Sequence, residues 1–396
     1  MTRRGRLALV LGGATYFGAW AFGSKILYPV ALGLPLAVLL GWLWIALANR
    51  PLQLRRSLPG GERLEGDDVK VALELVSEQH LVPARWTLRE RVGRLGELEM
   101  TVGPSGRARY MLRNVPRGRY AFEETIAVIE DPFGLERVEQ RLDAPGALLV
   151  YPRLVELERL FSDAGARAHD GRRLLLRRPS GFDLHSVREY EHGDSLRKVH
   201  WRSTARRAQL MVKELEDAPR DEVAIVLDAD PQSVVGESFD VQVRAAGSLL
   251  FAHVRRGRRA RLVINGLQRE HQGVRSAEGD WRAARDLLAA AEPQAGPPLA
   301  ALLADEGSVV GRALELCIVT ASLSPRLVER LVHRALGSGH VSLVFVDPAS
   351  FAGAEPRPSP ELLRLQAAGV ALALVRAGDD LAERLGEGRV AEAAHA

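Results

Sequence analysis

From Ile26 to Ala48 the chain runs for 23 residues without a charge. An α-helix needs about 20 apolar residues to cross the hydrocarbon core of a bilayer. This stretch is therefore long enough to span, and it constrains everything attached to it. A second uncharged stretch, Leu7 to Ser24, precedes it, with Lys25 between the two. Arg3, Arg4 and Arg6 lie before the pair, and Arg50, Arg55 and Arg56 after it. Cytoplasmic flanks carry the excess of basic residues, so both ends are expected on the cytoplasmic side. Trp42 and Trp44 stand near the end of the second stretch, where amphipathic rings favour the interface. The expectation is a transmembrane helical hairpin over residues 1–49, with helices at about 7–24 and 26–48. It would sit in the plasma (inner) membrane and leave the bulk of the chain cytoplasmic. The start MTRRGR, the apolar LALVLGGA and the small-x-small Ala19-Trp20-Ala21 also fit a cleavable signal peptide. Cleavage would leave the second stretch as anchor with the same orientation.

Beyond the anchor, two hydrophobic periods divide the chain. Over residues 50–152 the period is two. Val69, Val71, Leu73 and Leu75 fall on one parity, as do Ala108, Tyr110 and Leu112, and as do Tyr120, Phe122, Glu124, Ile126 and Val128. Such alternation marks half-buried strands, and the turn sequences PGG, GPSG, PRG and DPFG separate them. Seven or eight strands of this kind predict a small β-sandwich. Over residues 221–390 continuous apolar runs (EVAIVLD, ARLVIN, LELCIVT, VSLVFVD, VALALVR) alternate with stretches of helical period. That pattern predicts an α/β domain, a Rossmann-like parallel sheet covered on both faces. Its strand ends carry Asp228, Asp230, Asn265, Thr320 and Asp347, the place where such sheets keep functional groups.

Residues 153–220 link the two domains and contain SGFDLHSVREYEHGDSLRKVHWRSTARRAQLMVKELE. Gly181, Arg188, Glu189, Tyr190, Gly193, Asp194, Arg197, His200, Trp201, Ala205 and Arg206 hold fixed spacing over about 30 positions. This run closely resembles the signature of the bacterial family called "domain of unknown function 58". Leu184 and Val199 stand where the pattern commonly has another apolar residue. The resemblance implies the whole order: two-helix anchor, β-sandwich ending in RGRY…DPFGL, signature, and a von Willebrand factor A-like α/β domain. It also implies partners, a MoxR-type AAA+ ATPase and other von Willebrand A-like proteins, in assembly or maturation of other proteins. It implies no chemical activity, no catalytic residue and no cofactor. Physically, the signature sets Arg188, Arg197 and Arg206 among Glu189 and Asp194, with Tyr190 and Trp201 as flat surfaces for guanidinium stacking. Asp194 is placed to cap a helix over SLRKVHWRSTARR. Two readings stay open: a surface for a protein partner, where Trp, Tyr and Arg dominate binding energy, and an internal network joining the two domains.

Other chemistry fits these residues less well. A metal-binding von Willebrand A site needs D-x-S-x-S with a later Thr and Asp, because a hard cation takes six oxygens from several loops. Asp228 and Thr320 fit, Asp230 and Gln232 replace the two serines, and Thr320-Ala321-Ser322 lacks the aspartate. The expectation is no metal, with Asp228, Asp230 and Thr320 as a degenerate site. A metal-dependent enzyme or metal-binding adhesion-type module using Asp228 and Asp230 is the alternative. His185, His192 and His200 lack a recognised zinc spacing. Ser195-Leu196-Arg197-Lys198 fits S-x-x-K but has no S-D-N or K-T-G companion. A single cysteine, Cys317, excludes a disulfide framework and reads as a core thiol. No P-loop occurs, so ATP-driven work falls to a partner. Residues 171–213 hold eleven basic and four acidic residues, which opens a second alternative, a nucleic-acid or anionic-lipid binder. Only four of the chain's 54 basic residues are lysine, so arginine runs are a chain-wide habit, and nucleic acid is not favoured.

Overall fold

The computed structural model describes the chain except residues 78–84, 104, 164–183, 190–200, 208, 216–221, 276–278, 306, 338, 355–358 and 387–396. It divides into two compact units, Met1–Tyr151 and Pro152–Ala396.

The first unit opens with two helices, α1 (Arg3–Ala21) and α2 (Tyr28–Ala48), packed against each other. Gly12 permits the contact, since a Cβ there would lie 2.8 Å from the Pro35 ring and 3.3 Å from the Ala31 carbonyl. Among the described residues, only Lys25–Ala48 is long and apolar enough to cross a membrane. Helix α1 falls short because three arginines occupy its first turns and glycine, alanine and threonine dilute its interior.

Among the described residues nine strands follow: β1 (Leu52–Ser57), β2 (Arg63–Leu64), β3 (Val69–Ser77), β4 (Arg85–Val92), β5 (Glu97–Thr101), β6 (Arg107–Leu112), β7 (Gly118–Glu130), β8 (Arg137–Leu142) and β9 (Gly146–Tyr151). One sheet runs β1-β3-β6, the other β2-β9-β7-β4-β5 with β8 also on β7. Val69, Val71, Leu73 and Leu75 of the first share one core with Leu88, Val92, Tyr120 and Phe122 of the second. The single parity expected for β7 does not hold along its length. Tyr120, Phe122 and Val128 are buried as expected, but between them Glu124 and Ile126 are partly exposed, while Thr125, Ala127 and Ile129 of the other parity are buried. The cause is an extra residue: Val92 pairs with Phe122 and Arg91 with Glu124, so Glu123 bulges and the buried face changes parity.

The second unit holds β10 (Leu184–Glu189), α3 (Trp201–Arg207) and β11 (Met211–Leu215), with β10 and β11 paired antiparallel. Its main sheet comprises β12 (Glu222–Asp228), β13 (Arg259–Asn265), β14 (Glu270–Val274), β15 (Glu315–Thr320), β16 (His340–Val346) and β17 (Ala371–Val375). The order is β14-β13-β12-β15-β16-β17, parallel except for the antiparallel edge strand β14. Both faces are covered. Val223, Ile225 and Leu227 pack with residues of α4 (Ser238–Arg255) and α5 (Trp281–Ala290), whereas Ala224 and Val226 pack with α6 (Leu299–Ala304) and with a helix at Pro325–Leu336. Two-sided burial explains why these strands read as unbroken apolar runs.

Candidate functional site

Two places in the second unit carry the residues singled out by the sequence. The first is the carboxyl end of the sheet. Chain order reverses between β12 and β15, whose neighbours lead away to opposite edges, and open α/β sheets bind ligands in the crevice at such a switch point. Asp228 ends β12, Asn265 ends β13 and Thr320 ends β15, and all three are buried. Thr320 Oγ1 donates to Asp228 Oδ2 at 2.8 Å and accepts from the Ser322 backbone N–H at 3.0 Å. Asn265 Nδ2 lies 3.5 Å from Asp228 Oδ1 and donates to the Pro297 carbonyl at 3.0 Å. Burial is the main cause that pushes the Asp228 carboxyl above the usual carboxylate range; the Thr320 and Asn265 hydrogen bonds oppose it.

Asp230 does not join this group through its own carboxylate oxygens. Its Oδ1 accepts from the Gln232 N–H at 3.0 Å and so caps the turn Pro231–Ser233. Asp347 at the end of β16 likewise accepts from the Ala349 N–H at 3.1 Å. Among the described residues no three His, Cys, Asp or Glu side chains gather as a metal site. The segment after α5 also crosses here: Gln294 N–H donates to the Ala229 carbonyl at 2.8 Å, and Pro297 holds Asn265. Sequence reading assigned no role to Gln294 or Pro297, and no signal in AEPQAGPPLA foretells it, because sheet topology alone brings that loop to the strand ends. Cys317 lies buried in β15, and burial pushes its thiol up to about 12.

The second place is the signature. Arg188 and Glu189 are on β10, opposite Val212 and Met211 of β11. Trp201 and Arg206 are on α3, which is tied to β11 by the Met211 N–H donating to Thr204 Oγ1 at 3.0 Å. Trp201 is 67% exposed, and Arg206 is exposed as well. Gly181, Tyr190, Gly193, Asp194, Arg197 and His200 lie outside the described residues, as does the predicted helical turn before Trp201.

Fold and sites define a multidomain mixed α/β protein with one N-terminal helix apolar enough to span a membrane. Residues 186–350 match the model of the family described as "Protein of unknown function DUF58". A curated relative, the uncharacterized protein YeaD of Bacillus subtilis (strain 168), is 24% identical over 237 residues. That match covers 59% of this chain and 58% of the relative, so the chain spans little more than half the relative's length. Among solved structures, the PKD domain of the human receptor SorCS2 is similar over 27% of this chain and 82% of its own, at 15% identity and a TM-score of 0.19. The CARDB domain of the PF1109 protein from Pyrococcus furiosus is similar over 25% of this chain and 87% of its own, at 9% identity and a TM-score of 0.18.

Proposed function

We propose that this protein is a membrane-anchored, cytoplasm-facing scaffold or adaptor without catalytic activity, whose partner is a MoxR-type AAA+ ATPase. In this reading α1 and α2 form the hairpin anchor, the nine strands form a β-sandwich, and the second unit is a von Willebrand A-like domain. Its sheet order with a single antiparallel edge strand supports that last point. The observation that carries the function is Trp201. A tryptophan 67% exposed on a short helix, within the segment that matches the family, is the kind of residue that anchors protein partners. The strand-end crevice supports the same reading, since Asp228 and Asp230 each already accept from a donor within the protein.

The test is Trp201→Ala in the full-length, detergent-solubilised protein, probed by co-purification with the MoxR-type ATPase of the same organism. Losing an interface anchor weakens binding by about 2 kcal/mol or more, roughly thirtyfold. Because the side chain is exposed, melting should stay within about 0.5 kcal/mol of the parent. A variant that binds the ATPase as well as the parent would remove the adaptor role from this helix. A variant that melts far lower would make Trp201 a structural residue.

A further inference from the structure

The turn between β7 and β8, Asp131 to Leu135, is bound to the two N-terminal helices. Thr2 caps α1 and also donates to this turn: its Oγ1 reaches the Gly134 carbonyl at 2.8 Å, and its N–H reaches the Leu135 carbonyl at 2.9 Å. Gly5 lies against the Leu135 carbonyl, too close for any side chain. On α2, a Cβ at Gly41 would stand 3.1 Å from the Asp131 carboxylate. That carboxylate is buried and fully engaged, accepting from the Phe133 N–H at 3.0 Å and the Glu136 N–H at 2.6 Å. An acid satisfied in this way can sit beside an apolar helix without an unmet hydrogen bond.

Helix geometry gives the depth of the turn. Gly12 of α1 abuts Pro35 and Ala31 of α2, and the Tyr16 and Tyr28 rings meet edge to face at 5.6 Å, so the helices run antiparallel past each other. At 1.5 Å per residue, Gly5 lies about 10 Å from Gly12 toward the basic end, and Gly41 about 9 Å from Pro35 in the same direction. Gly5 and Gly41 are therefore level, and the turn touches both. Arg3, Arg4 and Arg6 occupy this level on α1, and Trp42 and Trp44 on α2. Arginine and tryptophan both settle in the headgroup layer of a bilayer. Both kinds of marker thus coincide with the turn. At its tip Phe133 is 66% exposed, and the Arg4 guanidinium lies 3.7 Å from where a Gly134 Cβ would be.

We infer that the Asp131–Leu135 turn is a second membrane contact: Phe133 inserts into the lipid interface, and Arg3, Arg4 and Arg6 around it meet anionic phosphate headgroups. The β unit is then held at the bilayer surface by this turn as well as by its link to α2. This rests on the reading that Lys25–Ala48 spans a membrane, and the test keeps the two apart.

Full-length protein in a Cys317→Ala background is given one cysteine at a time, as Phe133→Cys, Leu36→Cys or Ser105→Cys. Each is labelled with an environment-sensitive nitrobenzoxadiazole dye and reconstituted into vesicles of phosphatidylethanolamine and phosphatidylglycerol. A doxyl quencher is carried either near the lipid carbonyl or near the chain end. The label at position 133 should shift to the blue and lose intensity to the shallow quencher alone. The label at 36, midway along α2, should respond to the deep quencher, and that at exposed Ser105 to neither. If position 133 behaves like 105 while 36 remains quenched, the turn proposal fails and the span stands. If 36 is unquenched too, the span is wrong and the turn proposal falls with it.

Discussion

The two units bury polar chemistry in opposite parts of their architecture. In the first, charge lies in the middle. Arg56 from β1 and Tyr110 from β6 reach across to Glu90 and Thr125 on β4 and β7, with Arg56 ion-paired to Glu90 and Tyr110 donating to the same carboxylate. Thr125 Oγ1 adds a 3.1 Å donation to Glu90, and the Arg56 guanidinium sits 4.2 Å above the Phe122 ring. Burial, and after it the hydrogen bond to Glu90 and the charge of that carboxylate, push the Tyr110 hydroxyl well above its ordinary range. In the second unit the sheet interior from Val223 to Leu227 is wholly apolar, and polar groups occupy its two ends. Asp228, Asn265 and Thr320 lie at the carboxyl end; His253, Arg258 and Glu315 meet at the other. The contrast teaches which buried charge is structural. A pair that joins two sheets fixes how they pack, whereas the Asp228 carboxylate links only neighbouring strands that already pair through their backbones.

Breaking the inter-sheet pair should have the largest effect. With Arg56 only 4% exposed, Glu90→Ala would strand a guanidinium in the core. Removing one partner of a buried pair costs about 3–5 kcal/mol. Urea unfolding of the full-length protein in detergent should show that loss in the first unit's transition. A loss under about 1 kcal/mol would mean that water reaches Arg56, and that the pair is no lock.

How much of this was legible differs between the units for the same reason. The runs EVAIVLD and LELCIVT announced central strands because burial on both faces leaves no room for polar residues. Edge strand β14 (EHQGV) went unread, since an edge with two exposed residues at its start has neither period nor apolar run. In the first unit Glu90 did leave a trace: it shares parity with Leu88 and Val92, both buried, so an acid stood on the core face. The bulge at Glu123 left none, because one extra residue alters parity without altering composition. The strand-end group was half visible. Asp228, Asn265 and Thr320 could be named as strand ends, but their mutual hydrogen bonds depend on strand order, which no local pattern encodes.

The polar group at the amino end of the sheet sharpens the contrast through pH. His253 is buried, and its ring is held down to about 4, chiefly by burial and secondarily by Arg258 and Arg256, against the opposing pull of Glu315 and Asp163. Its Nδ1 lies 3.3 Å from Arg258 Nη1, and its Nε2 4.0 Å from Glu315 Oε1. The folded state thus binds the proton less readily than the unfolded chain, whose histidine titrates near 6.5. Stability is full above that value and falls as pH drops toward 4, by about 3 kcal/mol over the window. Denaturant melts of the second unit's transition between those limits should show the slope, and His253→Gln should flatten it. An unchanged slope in the variant would assign the acid sensitivity elsewhere.

Asp228 should give the smallest effect, with the opposite sign. Its raised pKa means that the folded state binds the proton more readily than the unfolded chain does. The stability this confers is complete at low pH and is lost as pH rises through the folded-state value. Ionising Asp228 is therefore a cost to the folded state, and Asp228→Asn should remove it. The amide oxygen can still accept from Thr320 Oγ1; the new N–H₂ group replaces the oxygen facing Asn265 Nδ2, so Asn265 must turn its Oδ1, buried without a partner among the described residues, toward it and give up its bond to the Pro297 carbonyl. The expected gain is about 1 kcal/mol at neutral pH, the scale of one buried hydrogen bond rearranged, and it should shrink to nothing in acid. Melts of the variant and parent across pH measure it directly. A gain fits a carboxylate that works only inside the protein, as the adaptor reading requires. A loss at neutral pH would mean that the site is built for the charge itself. Equilibrium dialysis against magnesium would then decide whether a cation is what the charge is kept for.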